Sequence, residues 1–237
     1  MIYFNDAAAF VTAPTGSVAG FKYRVSNSNF DMSLDRGGGT SAGNFISAGL
    51  GSTSQLSGRE YDILITHQPG EGFTFSMTSG TTTTRLHWGT NAPAGATSAT
   101  TIGGSTPGAA FNTLTIESRA LLSGSTLAFS AITFASPTLT LGSGAMLDGI
   151  VTPSTRGPYD TTSGSYTQRI SANTDLSQHA WTLGARVTAT RLAGGGGDES
   201  LRFVVGAGMG AYVPSPAGAG VLGLAALFTL VLRARRA

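Results

Sequence analysis

The stretch that decides the fold is Trp181-Thr182-Leu183-Gly184-Ala185-Arg186-Val187-Thr188-Ala189-Thr190. Its odd-numbered positions are apolar and its even-numbered positions are mostly hydroxyl-bearing, so the hydrophobic pattern repeats every two residues. A β-strand has this period, because successive side chains point to opposite faces of a sheet. The stretch therefore predicts a strand with one buried face and one face in contact with water.

Further segments show the same alternation and predict strands. They are Phe21–Val25, Tyr61–Thr66, Phe73–Thr78, Arg85–Trp88, Leu114–Ile116, Leu127–Phe134 and Leu201–Val205. Only one internal stretch, Asn5–Thr12, looks helical, and it is too short to anchor a helical layer. About nine or ten strands without such a layer predict an all-β fold, an antiparallel β-sandwich of jelly-roll type, over residues 1–206.

Three irregular features are also predicted. In Leu127–Phe134 the apolar positions change phase, which predicts a β-bulge near Ala131. The glycines of Gly194–Gly197 predict a long hairpin loop between the last two strands. The thinly apolar segments Asp35–Gly58 and Gly89–Ala109 are expected to be long loops or irregular edge strands.

Composition and charge exclude several classes of function. The 237 residues contain no cysteine, which removes thiolate metal sites and cysteine nucleophiles. The formal charge of +2 is misleading, because Arg233, Arg235 and Arg236 crowd the last five positions. Without these three, 11 basic residues stand against 12 acidic ones, so the folded part has no basic surface that would favour nucleic-acid binding.

The last residues, 207–237, form a separate segment with three parts. Val213, Pro214, Ser215 and Pro216 are stiff and cannot join a helix or strand. Residues 217–232 carry neither charge nor proline and span about 24 Å as a helix, which predicts a short transmembrane helix. The arginine cluster that follows is expected to stay on the cytoplasmic side of the membrane.

This three-part order resembles the PEP-CTERM class of bacterial sorting signals, in a Val-Pro-x-Pro form with Ser215 where glutamate is usual. The resemblance implies that Pro214, Ser215 and Pro216 are recognised by a membrane-embedded exosortase. It also implies that residues 217–232 are a transient anchor in the inner membrane, and that the protein passes to the cell surface or exopolysaccharide matrix of a Gram-negative-type bacterium. The β-domain looks like the β-rich passengers of such signals, a likeness that assigns no activity.

An ordinary C-terminal membrane anchor and a hydrophobic core strand are the alternatives for the tail. A surface protein also needs an export signal, and the start at Met1–Asn5 shows neither the basic n-region nor the apolar h-region of a signal peptide. We therefore predict that a signal peptide lies upstream of Met1 or was trimmed.

Two glycine-containing patterns are weak catalytic signals. Gly39-Thr40-Ser41-Ala42-Gly43 matches a nucleophile elbow, but no buried strand precedes it and no helix follows. Gly218, Gly220 and Gly223 match a dinucleotide fingerprint but lie inside the apolar tail, where helix packing is the better use. Paired carboxylates for glycoside hydrolysis stay open, because their separation in space is invisible in a sequence. We predict no enzyme activity.

The metal candidates are few, and we predict no metal site and no cofactor. His67, His87 and His179 share no ligand spacing, although His67 and His87 approach each other if their strands pair. Calcium, held by Asp31 with Asp35 or by Asp198 with Glu199, is the one cofactor left open.

Function is predicted from the water-facing side chains. The hydroxyl groups of Thr74, Ser76 and Thr78, and those of Thr182, Thr188 and Thr190, offer neutral surfaces for polysaccharide. We therefore expect a structural or adhesive surface protein. The alternative is a lectin-like carbohydrate-binding module, with Trp88 stacking on a sugar ring and Trp181 in the core.

Overall fold

The computed structural model describes residues 1–5, 15–26, 29–37, 43–142, 144–156, 163–191 and 201–210. These residues form fourteen strands, one short helix and one 3₁₀ turn. The strands are β1 (Ile2–Phe4), β2 (Thr15–Ser26), β3 (Asn29–Asp35), β4 (Phe45–Ser52), β5 (Glu60–Gln68), β6 (Gly72–Ser79), β7 (Thr82–Gly89), β8 (Thr97–Ala99), β9 (Thr113–Ala120), β10 (Thr126–Ala135), β11 (Gly149–Val151), β12 (Ser165–Ala172), β13 (Trp181–Thr190) and β14 (Leu201–Met209). The helix α1 covers Thr53–Leu56, and the 3₁₀ turn covers Leu176–Gln178.

The strands build two sheets of seven strands each. The first sheet has the order β1-β12-β9-β14-β2-β3-β4, and the second has the order β11-β10-β13-β5-β6-β7-β8. Every pairing of named strands is antiparallel except that of β7 with β8. The prediction of an all-β fold is confirmed for the described residues, which build two sheets and only one four-residue helix.

The core lies between the two sheets. Phe21 of the first sheet meets Phe73 and Phe75 of the second edge-on, with ring centroids 5.4 and 6.0 Å apart. Farther along, the rings of Tyr23 and Tyr61 are 5.6 Å apart across the same gap. Face-to-face packing of this kind makes a sandwich and buries one side of each sheet.

The strands with the clearest alternation are confirmed. In β13 and β5 every second side chain is buried, and the two strands pair in register from Trp181 with His67 to Thr188 with Glu60. The bulge is confirmed as well, because the pairing of β10 with β13 shifts between Ser130 and Thr133. At the bulge Ala131 has a φ of 52°, and its N–H donates to Asp148 Oδ1 at 2.9 Å.

The two thinly apolar segments supply edge strands, as expected. β4 closes one edge of the first sheet, and the three-residue β8 closes one edge of the second. The sequence analysis did not identify β1, β3, β11 and β12. In β3, Phe30, Met32 and Leu34 alternate with Asp31, Ser33 and Asp35, so the pattern of a strand was present in the sequence but was overlooked. In β12 polar residues are buried on both faces, so no apolar pattern marks the strand.

The predicted hairpin between the last two strands is wrong. β13 lies in the second sheet between β10 and β5, whereas β14 lies in the first sheet between β9 and β2. The chain therefore crosses from one sheet to the other. A glycine-rich connection shows that the chain turns, but it does not show to which sheet the chain returns.

Several predictions fall on residues that the structure does not describe. The predicted helix lies outside the described residues except for Asn5, and the predicted transmembrane helix over 217–232 lies wholly outside them. Among the residues that are described, no helix has the length and apolar character needed to cross a membrane. β14 continues to Met209, three residues past the predicted domain boundary at 206.

Candidate functional site

The two hydroxyl-bearing surfaces predicted from the sequence lie on one face of one sheet. Thr182 of β13 pairs with Thr66 of β5, and Thr66 pairs with Thr74 of β6, so three strands carry a row of threonines. All three point away from the core, opposite to Trp181 and Phe73. We call this outer surface of the second sheet the hydroxyl face. Its members are Thr66, Thr74, Ser76, Thr78, Thr83, Thr182, Thr188 and Thr190.

Three charged groups on the hydroxyl face pair with each other, while Arg85 of β7, opposite Ser76, is a further cation on the same face. Arg186 Nε lies 3.0 Å from Asp62 Oδ1 and 3.3 Å from Glu60 Oε1. The hydrogen bond with Asp62 and the nearby charge of Glu60 raise the pKa of the guanidinium. Leu64, 45% exposed, adds an apolar contact beside these groups. The face can therefore offer hydroxyls and apolar carbon without a strong field of either sign.

A shallow cavity of about 440 Å³ lies at the bulge end of the hydroxyl face. Glu60 and Arg186 line one side, and Asp148 and Ile150 line the other. Asp148 Oδ1 already accepts the hydrogen bond from Ala131 at the bulge. The cavity extends the hydroxyl face toward β11 and gives it one concave region.

His87 ends the row of threonines and is held in a fixed position. Its Nε2 donates to the carbonyl of Thr90 at 2.7 Å, so in the neutral ring Nδ1 accepts from the hydroxyl of Thr74 at 2.9 Å. The side chain is only 3% exposed. Both ring nitrogens are occupied, so His87 orients Thr74 and offers no free base.

The histidines do not assemble a metal site. His67 points into the core, whereas His87 pairs with Thr74 on the outer face, so the two rings lie on opposite sides of the second sheet. The third ring, His179, bonds through Nδ1 with the hydroxyl of Thr138 at 3.0 Å. No group of three metal-binding side chains occurs among the described residues.

His67 belongs to an aromatic cluster. Its ring stacks on Trp181 at 5.6 Å and contacts Phe73 at 4.7 Å, and its Nδ1 donates to the carbonyl of His179 at 2.9 Å. Burial lowers the pKa of His67, although the hydrogen bond with His179 and the charge of Asp175 act in the opposite direction. The folded protein therefore favours the neutral ring.

This pKa shift predicts that acid destabilises the fold through His67. Above the unfolded pKa of about 6.5 the ring is neutral in both states, so His67 adds no pH dependence to the free energy of unfolding. Below that pH the unfolded chain takes up a proton that the folded chain resists, so stability falls by up to about 1.4 kcal/mol per pH unit. Urea unfolding from pH 7.5 to 5.0 should show this decline in the parent chain and a weaker one in His67→Gln. Equal slopes for the two proteins would contradict the assignment.

Trp88 does not present a stacking surface to solvent, contrary to the prediction. The side chain is 2% exposed, its ring lies 6.1 Å from that of Phe73, and its Nε1 donates to the carbonyl of Ser105 at 3.2 Å. The alternation of β7 with Leu86 already indicated an inward position. Trp181 is buried at 1% exposure, as predicted.

The aspartates considered for calcium have cationic partners. Asp31 pairs with Arg24 Nε at 3.0 Å, and Asp35 pairs with Lys22 Nζ at 2.9 Å. Because each carboxylate is matched by a cation on the neighbouring strand, this pair is not arranged to hold Ca²⁺. Asp198 and Glu199, like Ser41, lie outside the described residues.

The sorting motif Val213–Pro216 and the arginines Arg233, Arg235 and Arg236 also lie outside the described residues. Comparison with family models, with curated proteins and with solved structures finds no match. Functional assignment therefore depends on the residues and their geometry.

The sequence analysis did not identify two residues that line cavities. Asp148 carried no signal, because its role depends on a bulge seventeen residues earlier in the chain. Arg36 did have a signal in the sequence, because it is a charged residue directly before the glycine run Gly37–Gly39.

Proposed function

We propose that this chain is an exported, non-enzymatic β-sandwich with a structural or adhesive role at the cell surface or in the extracellular matrix of a Gram-negative-type bacterium. In this role the hydroxyl face contacts exopolysaccharide. The observation that carries the proposal is the row Thr182, Thr66 and Thr74, which continues across three adjacent strands on the water-facing side.

The geometry of the hydroxyl face suits weak contact with many sugar hydroxyls. Each hydrogen bond contributes only about 0.5–1.5 kcal/mol, so affinity must come from several contacts made together. Neighbouring strands place their side chains about 4.8 Å apart, which brings many hydroxyls under one length of polymer. Thr66, Thr182 and Thr188 make no side-chain hydrogen bond within the described part of the chain, and their hydroxyls are therefore free to bind a ligand.

The C-terminal tail is the second part of the proposal. An exosortase recognises Pro214–Pro216, and residues 217–232 anchor the chain in the inner membrane until the tail is removed. The order of proline motif, apolar run and arginine cluster supports this reading. In the sequence the motif Val213–Pro216 begins four residues after Met209, the last residue of β14.

A jelly-roll winding of the sandwich is proposed as well. From β9 onward the chain alternates between sheets: β9 is in the first, β10 and β11 in the second, β12 in the first, β13 in the second and β14 in the first. Repeated crossing of this kind is typical of Greek-key and jelly-roll connections.

Removing hydroxyls from the hydroxyl face is expected to weaken retention on polysaccharide. In the triple variant Thr66→Val, Thr182→Val and Thr188→Val each side chain keeps its shape and loses one hydroxyl. We expect retention on a film of neutral glucan, measured by quartz microbalance, to fall at least about threefold, while the urea midpoint changes little.

The matched control is Thr100→Val, Thr101→Val and Thr140→Val, which removes three exposed hydroxyls from loops away from the face. Equal retention by the two triple variants would count against the hydroxyl face as the contact surface.

A further inference from the structure

A second cavity, of about 330 Å³, lies at one end of the sandwich. Val18 comes from β2, Phe73 and Trp88 come from β6 and β7, and Arg36 follows β3 directly. The loop after β8 closes the cavity with Ser105 and Thr106. The volume is at the lower end of the range for small-molecule pockets and suits a single sugar ring.

Arg36 is held in place by the loop that carries Gly103. Its Nη1 donates to the carbonyl of Gly103 and to Ser105 Oγ, both at 3.3 Å. Gly103 has a φ of +55°, and a Cβ there would lie 2.3 Å from Asn44 Oδ1 and 3.0 Å from Arg36 Nε. A side chain at this position would crowd the arginine, so glycine leaves room for the two hydrogen bonds that orient the guanidinium.

Arg36 has no carboxylate partner within the described residues. Its two hydrogen bonds go to neutral oxygens, whereas Lys22 pairs with Asp35 and Arg24 pairs with Asp31 on the neighbouring strands. The carboxylate of Asp35 is further engaged by the N–H of Gly37 at 2.7 Å. The Nε and Nη2 donors of Arg36 are therefore available, and together they form the planar fork that binds a carboxylate through both oxygens.

The remaining lining suits the carbon skeleton and hydroxyls of a sugar. Phe73 and Trp88 line the base of the cavity and make it apolar, although each side chain is only 2% exposed. Ser105 and Thr106 supply hydroxyls at its wall. A matching ligand has an acid group for the guanidinium, hydroxyls for the two hydroxyl side chains, and a C–H face for the apolar floor.

We propose that this cavity binds one uronate residue of an acidic polysaccharide, with Arg36 paired to its carboxylate. The site lies apart from the hydroxyl face and does not depend on it. It would give an otherwise weak polysaccharide contact a preference for acidic sugars, since the guanidinium distinguishes glucuronate from glucose by charge.

Titration of the intact protein with D-glucuronate tests the proposal, with chemical shifts of the Trp88 indole as the readout and D-glucose as the neutral probe. We expect saturable shifts with glucuronate and none with glucose at the same concentration. Arg36→Gln should weaken glucuronate binding at least about tenfold, since it removes a charge-assisted hydrogen bond. Raising the salt concentration should weaken binding in the parent protein.

Arg156→Gln is the matched control. Arg156 is exposed, and its Nε donates to Ser163 Oγ at 3.2 Å. The variant therefore loses the same charge and a similar hydrogen bond, but away from the cavity. Ala109→Phe, which fills the cavity without changing charge, should abolish binding even if Arg36→Gln proves unstable. Equal binding of glucose and glucuronate, equal affinity in the two arginine variants, or preference for an acidic peptide such as triglutamate would overturn the proposal. Loss of retention in the threonine triple variant, with glucuronate binding intact, would separate the two surfaces.

Discussion

A chain exported by an attached leader but ending at Gly210 is expected to lose its attachment to the inner membrane and to become a soluble periplasmic protein. The deletion removes residues 211–237, which contain the proline motif, the apolar run and the arginine cluster. The sandwich itself ends with β14 at Met209, so its strands stay intact. Fractionation with immunodetection should show most of the parent chain in the envelope fraction and most of the truncated chain in the soluble periplasmic fraction.

The expected effect is large because the tail supplies the apolar anchor. Eight of the residues in 217–232 are leucine, valine or phenylalanine, and at about −0.5 kcal/mol each they favour insertion by roughly 4 kcal/mol. Glycines in the same run oppose insertion in part, which suits a temporary anchor better than a permanent one.

The double variant Pro214→Ala and Pro216→Ala separates a sorting signal from an ordinary anchor. It leaves the apolar run and the arginines intact, so an ordinary anchor keeps its behaviour. A sorting signal is expected to lose processing, and the uncut chain should accumulate in the inner membrane. Identical distribution of the parent and the double variant would contradict the sorting role.

Replacing Trp181 with alanine is expected to lower the free energy of unfolding by about 3–5 kcal/mol. The indole is 1% exposed, and its ring lies 5.6 Å from His67, 5.8 Å from Phe134 and 6.1 Å from Phe111. Truncation removes buried area and leaves a cavity that the sandwich cannot fully close. Urea unfolding, monitored by far-UV circular dichroism, measures the change.

Two further variants serve as controls for the Trp181→Ala result. The Trp181 Nε1 has no hydrogen-bond partner among the described residues, so Trp181→Phe should cost clearly less than Trp181→Ala. Thr182→Ala changes the next residue of β13, which faces water, and should alter stability by less than about 1 kcal/mol. A loss below about 1 kcal/mol for Trp181→Ala would show that the aromatic cluster does not organise the core.

Sequence patterns predict best where one face of a strand is buried and the other is wet. β13 and β5 fit that condition, and so does the phase change in β10 that marks the bulge. β12 does not fit, because Gln168 is buried and bonds both the N–H and the carbonyl of Leu147. Because such buried polar side chains have their hydrogen-bond partners inside the protein, the strand shows no alternation of apolar and polar residues. A strand of this kind cannot be recognised from a single sequence.

The site was predictable only in parts, because sheet order is a long-range property. The hydroxyls of β6 and those of β13 were visible as separate runs, but their union depends on β5 lying between the two strands. The position of Arg36 beside Gly103 joins segments sixty-seven residues apart, and no local pattern reports such a contact. No local pattern shows which sheet the chain enters after the connection from β13 to β14, and the predicted hairpin was wrong for this reason.

The most direct test of the account is the mass of the mature polypeptide recovered from the envelope and matrix of a bacterium that encodes an exosortase. The account predicts a C-terminus near Pro214–Pro216, with residues 217–237 missing and the sandwich intact. Recovery of full-length chain still ending in Ala237, with most of the protein in the cytosol, would contradict it.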